Sequence, residues 1–551
     1  MVRRTLAVFL AAFAACQAPS WGDFVAHDAA HDSDMSEGTG SSTTPGEPTP
    51  DADESTTSNA TSTSAVTGEL PEETTGTSAS PGSTGALLLQ PRILSVDMPP
   101  TIHLAGPVDV VVAAEDATLV RAKLDGVELD EFADQGGGVF AGTVPIFGSV
   151  DNGAHVLEVI AATGSLADLR PVSFEVAAPP AGDQAWAVQY PTGSTSRRVI
   201  VTDEGDAIEV GAVDVDGAPR PSIRKRAAKN GAEVWPEGTI ILDNREGSVD
   251  AAALTPDGRI WVAMNVRQAD SKWRPRILLL DAEGHETGVE MPTEPGATVR
   301  GIGADEAGGF FAVGFAGSGF GDMDVALWRM NGDHVAVFSA KLWDYVPETN
   351  KDWKHKYSDL AFDVVLKGNA AWVVGASAGY HEKQDPETRG LLAPMDLETG
   401  VPLDPVIVQA ASGGWRQGMY LGAAAHPDGV AAVGYGATLD GTAQRIELAI
   451  YDAMGSRVWF QPEAVKDVAY ATAVAVSAHG GVVVSGVVQD GDVLRGVLFG
   501  RKGLVFDYMF PANGSPSAAT DLALDAWDQV VVVGEVTSAG VRHARAAFVR
   551  Q

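Results

Sequence analysis

Two kinds of side chain in this sequence are spaced so that they could do chemistry: carboxylates two residues apart, and aromatics interleaved with basic residues. Asp214 and Asp216 in "DVDG", and Asp322 and Asp324 in "GDMD", are such carboxylate pairs, and on a strand residues i and i+2 share a face. One pair falls well short of the six to eight oxygens that calcium takes. The four are therefore weak metal candidates, and an acidic turn is the plainer reading. The aromatics are Trp273, Trp343, Tyr345, Trp353, Tyr357, Tyr380, Trp415 and Tyr420. Arg267, Lys272, Lys351, Lys354, Lys356 and Arg416 sit among them, a basic patch on an acidic chain. Aromatics beside arginine are typical anchors of protein interfaces, and an aromatic face can equally bury the apolar side of a sugar ring. About half of these aromatics are expected to pack in the core instead, with Trp273 and Trp343 against neighbouring repeats. HExxH, GxSxG and GxxxxGK[ST] are missing, and the histidines are scattered. No cofactor is expected.

A repeat must position these residues. A phrase of about fifty residues recurs as "GRIWVAMNV" at 258–266, "GGFFAVGFAG" at 308–317, "AAWVVGASAG" at 370–379, "GVAAVGYGA" at 429–437, "GGVVVSGVV" at 480–488 and "DQVVVVGEV" at 528–536. Each copy follows an alternating strand and a tight turn, the pattern of a β-propeller blade. Aligned on a glycine of the second strand, the blades carry Gly211, Gly314, Gly375, Gly434, Gly486 and Gly534, with Ala263 or Met264 in the remaining slot. The count is seven, with six or eight as alternatives. The last blade has three strands of its own, and "QAWAVQY" at 184–190 is the spare strand that would complete it. Closing the ring with mixed termini removes exposed sheet edges. The turns "TPDG" at 255–258 and "HPDG" at 426–429, with "ILLLDAEG" at 277–284 and "ELAIYDAMG" at 447–455, resemble the delta-sixty repeat family of bacterial propellers. That resemblance implies architecture and transfers no catalytic residue.

In a propeller, the loops from second to third strand and the blade-to-blade loops share one face. The long insertions at 265–276, 341–359, 379–390 and 406–420 all fall in these two classes, and they hold the aromatic and basic residues. Long loops on a rigid scaffold are where binding usually resides.

The chain has 551 residues, 45% apolar and 20% charged, with 62 Gly, 31 Pro and a net charge of −35. Such a balance suits a turn-rich β protein. The charge disfavours nucleic acid as a partner, and equally electrostatic adhesion to an anionic membrane. Arg3 and Arg4 precede an apolar run at 6–15 that is too short to span a bilayer. With the single cysteine in "FAAC" at 13–16, the segment resembles a bacterial lipoprotein signal. The resemblance implies removal of 1–15 and a lipid on Cys16. Phe13 stands where the family has an aliphatic residue, and the alternative is ordinary secretion after "AFA". Gln17 in place of Asp implies the outer membrane by analogy. Residues 16–90 read as a Ser/Thr/Pro-rich acidic stalk without Lys or Arg in its span of 17–90, roughly 50 Å in root-mean-square span. Residues 91–178 hold six or seven short alternating segments. They resemble bacterial immunoglobulin-like or fibronectin-type-III-like modules, without a Cys pair or a strand tryptophan. The propeller takes 184–551.

These readings lead to an all-β, envelope-anchored protein whose propeller binds a protein or a glycan through the long-loop face without catalysis, touching the membrane only through its lipid. The alternatives are a structural envelope component, or a polysaccharide hydrolase or lyase using acids near the channel, for which Asp322, Asp324 and Glu382 are at hand. Paired buried acids in the channel would favour the enzyme. A contiguous exposed aromatic patch would favour the binder, and aromatics all turned inward the structural role.

Overall fold

The computed structural model describes residues 89–551 apart from 104, 148–150, 179–182, 292, 294–295, 318–322, 345–356, 380–386, 410–416, 439–442, 467, 478–479, 492, 502–506, 511–515, 539–540 and 551. The leader, Cys16 and the stalk lie outside the described residues. Among those described there is no α-helix, and every named element is a strand.

Nine strands between Arg92 and Val176, two of them only two residues long, form a four-stranded and a five-stranded sheet. One core joins the two sheets, with Val110, Val112, Phe140 and Val144 meeting Val120, Leu157, Val159 and Phe174. The strand Gly106–Glu115 shows why: its buried residues alternate with exposed ones, as the pleat requires.

The other described residues form seven four-stranded antiparallel sheets. Their innermost strands are Thr195–Val201, Gly247–Leu254, Ala297–Ala304, Tyr357–Lys367, Gln417–His426, Ala469–Val476 and Ser517–Leu524, one for each of blades one to seven. Each packs beside the next, and the first packs beside the last, so the ring is closed. The expected seventh blade is found: Gln184–Thr192 pairs antiparallel with Val541–Val549, Trp186 opposite Phe548 and Ala187 opposite Ala547. A buried cluster holds this outer strand to blade one. The Tyr190 hydroxyl donates to Glu209 at 2.7 Å and accepts from Arg226 at 2.7 Å, and the Arg224 guanidinium lies 3.8 Å above the Tyr190 ring. Burial pushes the Glu209 carboxyl up, against Arg224, the tyrosine and Arg226.

Turns on one side follow a single rule. Asp281, Asp305, Asp452 and Asp525 each accept backbone N–H groups two and four residues on. The residue three on has a positive φ, as at Gly284, Gly308, Gly455 and Asp528. Glycine or aspartate tolerates that conformation, which is why the D-x-x-G phrase recurs.

The aligned second-strand glycines have a sharper cause. Every innermost strand carries a bulge, one extra residue at Arg197, Asp250, Arg300, Phe362, Leu421, Thr472 and Thr520. The glycine opposite sits against the residue just before the bulge. A Cβ there would lie 2.1 Å from the Thr195 carbonyl oxygen at Gly211, 1.9 Å from Thr298 at Gly314, 1.8 Å from Leu360 at Gly375, 1.9 Å from Met419 at Gly434, and 2.1 Å from Ala518 at Gly534. Blade two fills the slot with Met264, opposite Val249.

The bulge therefore needs the glycine. Gly375→Ala should destabilise the protein by about 3 kcal/mol through overpacking, read as a lowered urea midpoint. A change within ~0.5 kcal/mol, the range of neutral surface substitutions, would mean the strand relaxes without cost.

Candidate functional site

A bulge adds a residue to one strand and re-aims its side chain. Here all seven bulged residues line a single cavity on the propeller axis: Arg197, Asp250, Arg300, Phe362, Leu421, Thr472 and Thr520. Arg198, Met419, Tyr435 and Tyr470 complete the lining. The wall has two characters. Blades one to three present Arg, Asp and Arg, blades four and five present Phe and Leu, and the last two present threonine hydroxyls.

The residues one step after each bulge close the floor. They are Arg198, Ala251, Gly301, Asp363, Gly422, Ala473 and Asp521. Four are small because the inner strands converge: a Cβ on Gly301 would meet the Asp363 Cα at 2.7 Å, and one on Gly422 the Ala473 Cα at 2.9 Å. Arg198 from blade one bridges the other two, reaching Asp363 of blade four at 3.2 Å and Asp521 of blade seven at 3.3 Å. Both acids also stitch neighbouring blades, accepting the backbone N–H of Ala423 at 3.1 Å and of Val199 at 2.8 Å. Burial pushes the Asp521 carboxyl up to about 6, against the pull of Arg198. Asp363 is displaced in the same direction, again by burial.

Asp250 is held differently. Its carboxylate accepts from the Ser248 hydroxyl at 2.8 Å and from the Asn265 amide. Asn265 also bonds the N–H and C=O of Val299 on blade three, at 3.1 and 2.9 Å. Thr472 and Thr520 donate to Ala519 and Ser196 of the following blades at 2.9 and 2.8 Å. Side chains at the axis thus both line the cavity and tie blade to blade. Met419 and Tyr470 precede their bulges, and Tyr435 pairs opposite Met419. The cavity accordingly opens toward the starts of the inner strands, the face where the blade-to-blade connections arrive.

Of the residues singled out in the sequence, Tyr345, Trp353, Tyr380, Trp415, Arg416 and Asp322 lie outside the described residues, as do Lys351, Lys354, Lys356 and Glu382. The same holds for the Tyr357 side chain. Tyr420 is buried, with its hydroxyl 2.5 Å from that of Tyr451, so it packs between blades rather than on an open face. Trp343 packs partly buried against the core shared by blades three and four, the role expected for it. Trp273 is half-buried and pairs with Arg267. The segment 265–276 is not a long loop: both strands extend through it to a tight turn in which the Gln268 N–H donates to Lys272 at 2.7 Å. Asp214 caps its turn by accepting the Gly217 N–H at 2.9 Å, and Asp216 has a φ of 55°. Asp324 lies on the third strand of blade three, opposite Ala316, away from the axis. Among the described residues no three acidic, histidine or cysteine side chains gather as a metal site.

The loop pattern of the sequence does not point to the axial residues, because these belong to strands. A signal was present: each bulged residue stands thirteen or fourteen places before the aligned glycine or Met264, as Phe362 does before Gly375 and Arg197 before Gly211.

No protein-family model matches the chain, and no curated protein matches it. Among solved structures, a protein of unknown function from Dyadobacter fermentans is 11% identical, covering 56% of this chain and 97% of its own, with a TM-score of 0.38. A GH43 β-xylosidase/α-arabinofuranosidase from a compost microbial metagenome is 11% identical over 55% of this chain and 96% of its own, TM-score 0.28. A mutant Trypanosoma rangeli sialidase displaying trans-sialidase activity is 9% identical over 67% and 60%, TM-score 0.33. At these values the likeness is one of fold. The expectation that the protein is not an enzyme is corrected: buried acids, the feature set out as favouring an enzyme, stand at the axis, where Asp363 and Asp521 flank Arg198.

Removing the floor guanidinium leaves two buried carboxylates unpaired, which costs about 3–5 kcal/mol. Asp521 binds its proton near pH 6 when folded against 3.8 as its reference value. Its contribution to stability is therefore full below that reference value and lost as pH rises through about 6. Without Arg198 the folded-state affinity for the proton increases further. The gap in stability between the parent and Arg198→Ala should narrow on going from about pH 7.5 to pH 5, measured by urea unfolding. A gap independent of pH would contradict the pairing.

Proposed function

We propose that this protein is carbohydrate-active and cleaves glycans from a chain end, with the axial cavity as its site. One observation carries the reading: all seven blades aim a bulged side chain into one blind cavity, and a carboxylate is fixed in its wall. Strand bulges gather where a side chain must be re-aimed for function. With Arg198 crossing the axis from blade one to Asp363 of blade four and Asp521 of blade seven, the cavity does not thread a polymer, so a terminal sugar enters and the remaining chain lies across the mouth. Phe362, Leu421 and the tyrosines suit the C–H face of a sugar ring, and threonine hydroxyls suit its hydroxyl groups. Asp250 is the carboxylate in position to meet the ligand. Hydrolysis of a glycosidic bond adds water across it, one group taking the proton of the attacking water and a donor protonating the leaving oxygen. Asp250, which accepts from Ser248 and Asn265, is the base, and solvent supplies the proton to the leaving oxygen. Asp363 and Asp521 hold Arg198 and act through it as positioning residues.

The test is release of sugar from a panel of soluble polysaccharides by the full chain. Monosaccharide alone should appear, and Asp250→Asn should slow it by about 10²–10⁴-fold while leaving the thermal midpoint close to the parent's. Release of mixed oligosaccharides would contradict the blind-cavity reading. No release from any polysaccharide, or full activity in the variant, would remove Asp250 and the cavity as the active site.

A further inference from the structure

We infer that the sugar taken by the axial cavity carries a methyl group beside its ring, as a 6-deoxy sugar or an acetamido sugar does, seated against Phe362, Met419 and Leu421. This rests on the reading of the cavity as a glycan site. The observation behind it is how apolar side chains are shared among the blades. Seven clusters of buried residues fill the seven spaces between adjacent blades, from Ile208 with Val262 between blades one and two to Val199 with Val533 between blades seven and one. An eighth runs across blades three to six instead. Phe362, Met419, Tyr435 and Tyr470 belong to it with Phe315 of blade three, and Leu421 packs against it. Holding adjacent blades together does not require it. Its inner edge is the wall of the cavity, which Phe362, Met419, Leu421, Tyr435 and Tyr470 all line.

This apolar surface is larger than one ring face. Phe362 and Leu421 stand at the bulges, whereas Met419 and Tyr470 stand two residues before the bulges of their strands, about 7 Å nearer the mouth by the rise of a strand. A ring lying on Phe362 and Leu421 leaves the surface at Met419 for a group that projects from the ring. That group is compact: Phe362, Met419, Tyr435 and Tyr470 are 8%, 2%, 5% and 2% exposed, so the surface they offer is small. It is also apolar. Phe362, Met419 and Leu421 carry no side-chain N–H or O–H, and a sugar hydroxyl turned against them would give up water without gaining a partner. The rest of the wall is polar, with Asp250, Thr472 and Thr520 among its residues, and suits the hydroxyl groups of the ring. The wall therefore fixes orientation, with the methyl group toward blades four and five.

The experiment is calorimetric titration of the full chain with methyl β-D-glucoside, methyl β-D-galactoside and methyl α-D-mannoside, each beside its 6-deoxy and its 2-acetamido-2-deoxy counterpart. At least one methyl-bearing probe should bind about tenfold or more tightly than its parent sugar, the discrimination an apolar pocket gives for one such group. Whether the preferred probe is the 6-deoxy or the acetamido sugar tells the two sources of the methyl group apart. The ratio should fall toward one in Leu421→Asn and persist in Leu421→Met. If Leu421→Asn melts well below the unaltered protein, the ratio measured on the unaltered protein still decides. Equal binding of parent and methyl-bearing sugars in all three series would overturn the inference and leave the glycan site standing, as would a preference unchanged in a well-folded Leu421→Asn. Binding of no probe in any series would overturn the inference and the site together.

Discussion

The bulge in each innermost strand, facing a residue without a side chain, is the contact on which the rest of the propeller depends. An extra residue tilts the preceding carbonyl out of the ladder, and in six blades that carbonyl occupies the space where a Cβ would stand on Gly211, Gly314, Gly375, Gly434, Gly486 or Gly534. Because the side chain at the bulge no longer follows the pleat, it turns to the axis. Repetition around the ring turns a local backbone irregularity into a seven-membered lining. The same geometry brings the next residues so close that only Gly, Ala, or a mutually bonded Arg and Asp can occupy them.

Charge at the axis follows from this crowding. Buried carboxylates are costly unless paired and hydrogen-bonded, and Asp363 and Asp521 satisfy both conditions by accepting from Arg198 and from a backbone N–H of the following blade. The arrangement links blades one, four and seven through a single guanidinium, so closing the floor and tying the ring are one interaction. The outer clasp of Tyr190, Glu209 and Arg226 does the same at the rim, where the strand that precedes the ring meets the blade that opens it. Polar groups therefore sit where the blades must be held in register, while Val, Ala and aromatic side chains fill the spaces between blades.

The architecture was legible in the sequence because the repeated second strand is apolar, has constant turn chemistry and carries the same glycine. The three strands left for the last blade and the spare segment at 184–190 identify the closing pair from the sequence alone. The site was not legible in the same way. Its residues differ from blade to blade, as Arg197, Phe362 and Thr472 do, so repetition conceals them: what recurs is the backbone bulge, not the residue type. Trp273 and Tyr420 drew attention as unusual side chains, yet the first extends a hairpin and the second packs against Tyr451. Asp324, one of the acids at hand in the sequence, is on the third strand of blade three rather than on an innermost strand. Asp250, Asp363 and Asp521 look unremarkable in "GSVDAAAL", "DLAFDVVL" and "SAATDLAL" until the seven inner strands are superimposed in register.

The most direct test of the central claim, that the bulged residues build one sugar site on the propeller axis, is a crystal structure of the full chain grown with the monosaccharide it releases from polysaccharide. The account predicts the sugar in the axial cavity, its ring against Phe362 and Leu421, and Asp250 within hydrogen-bond reach. A sugar seated away from the axis, or an axial cavity empty of sugar at saturating concentration, would contradict it.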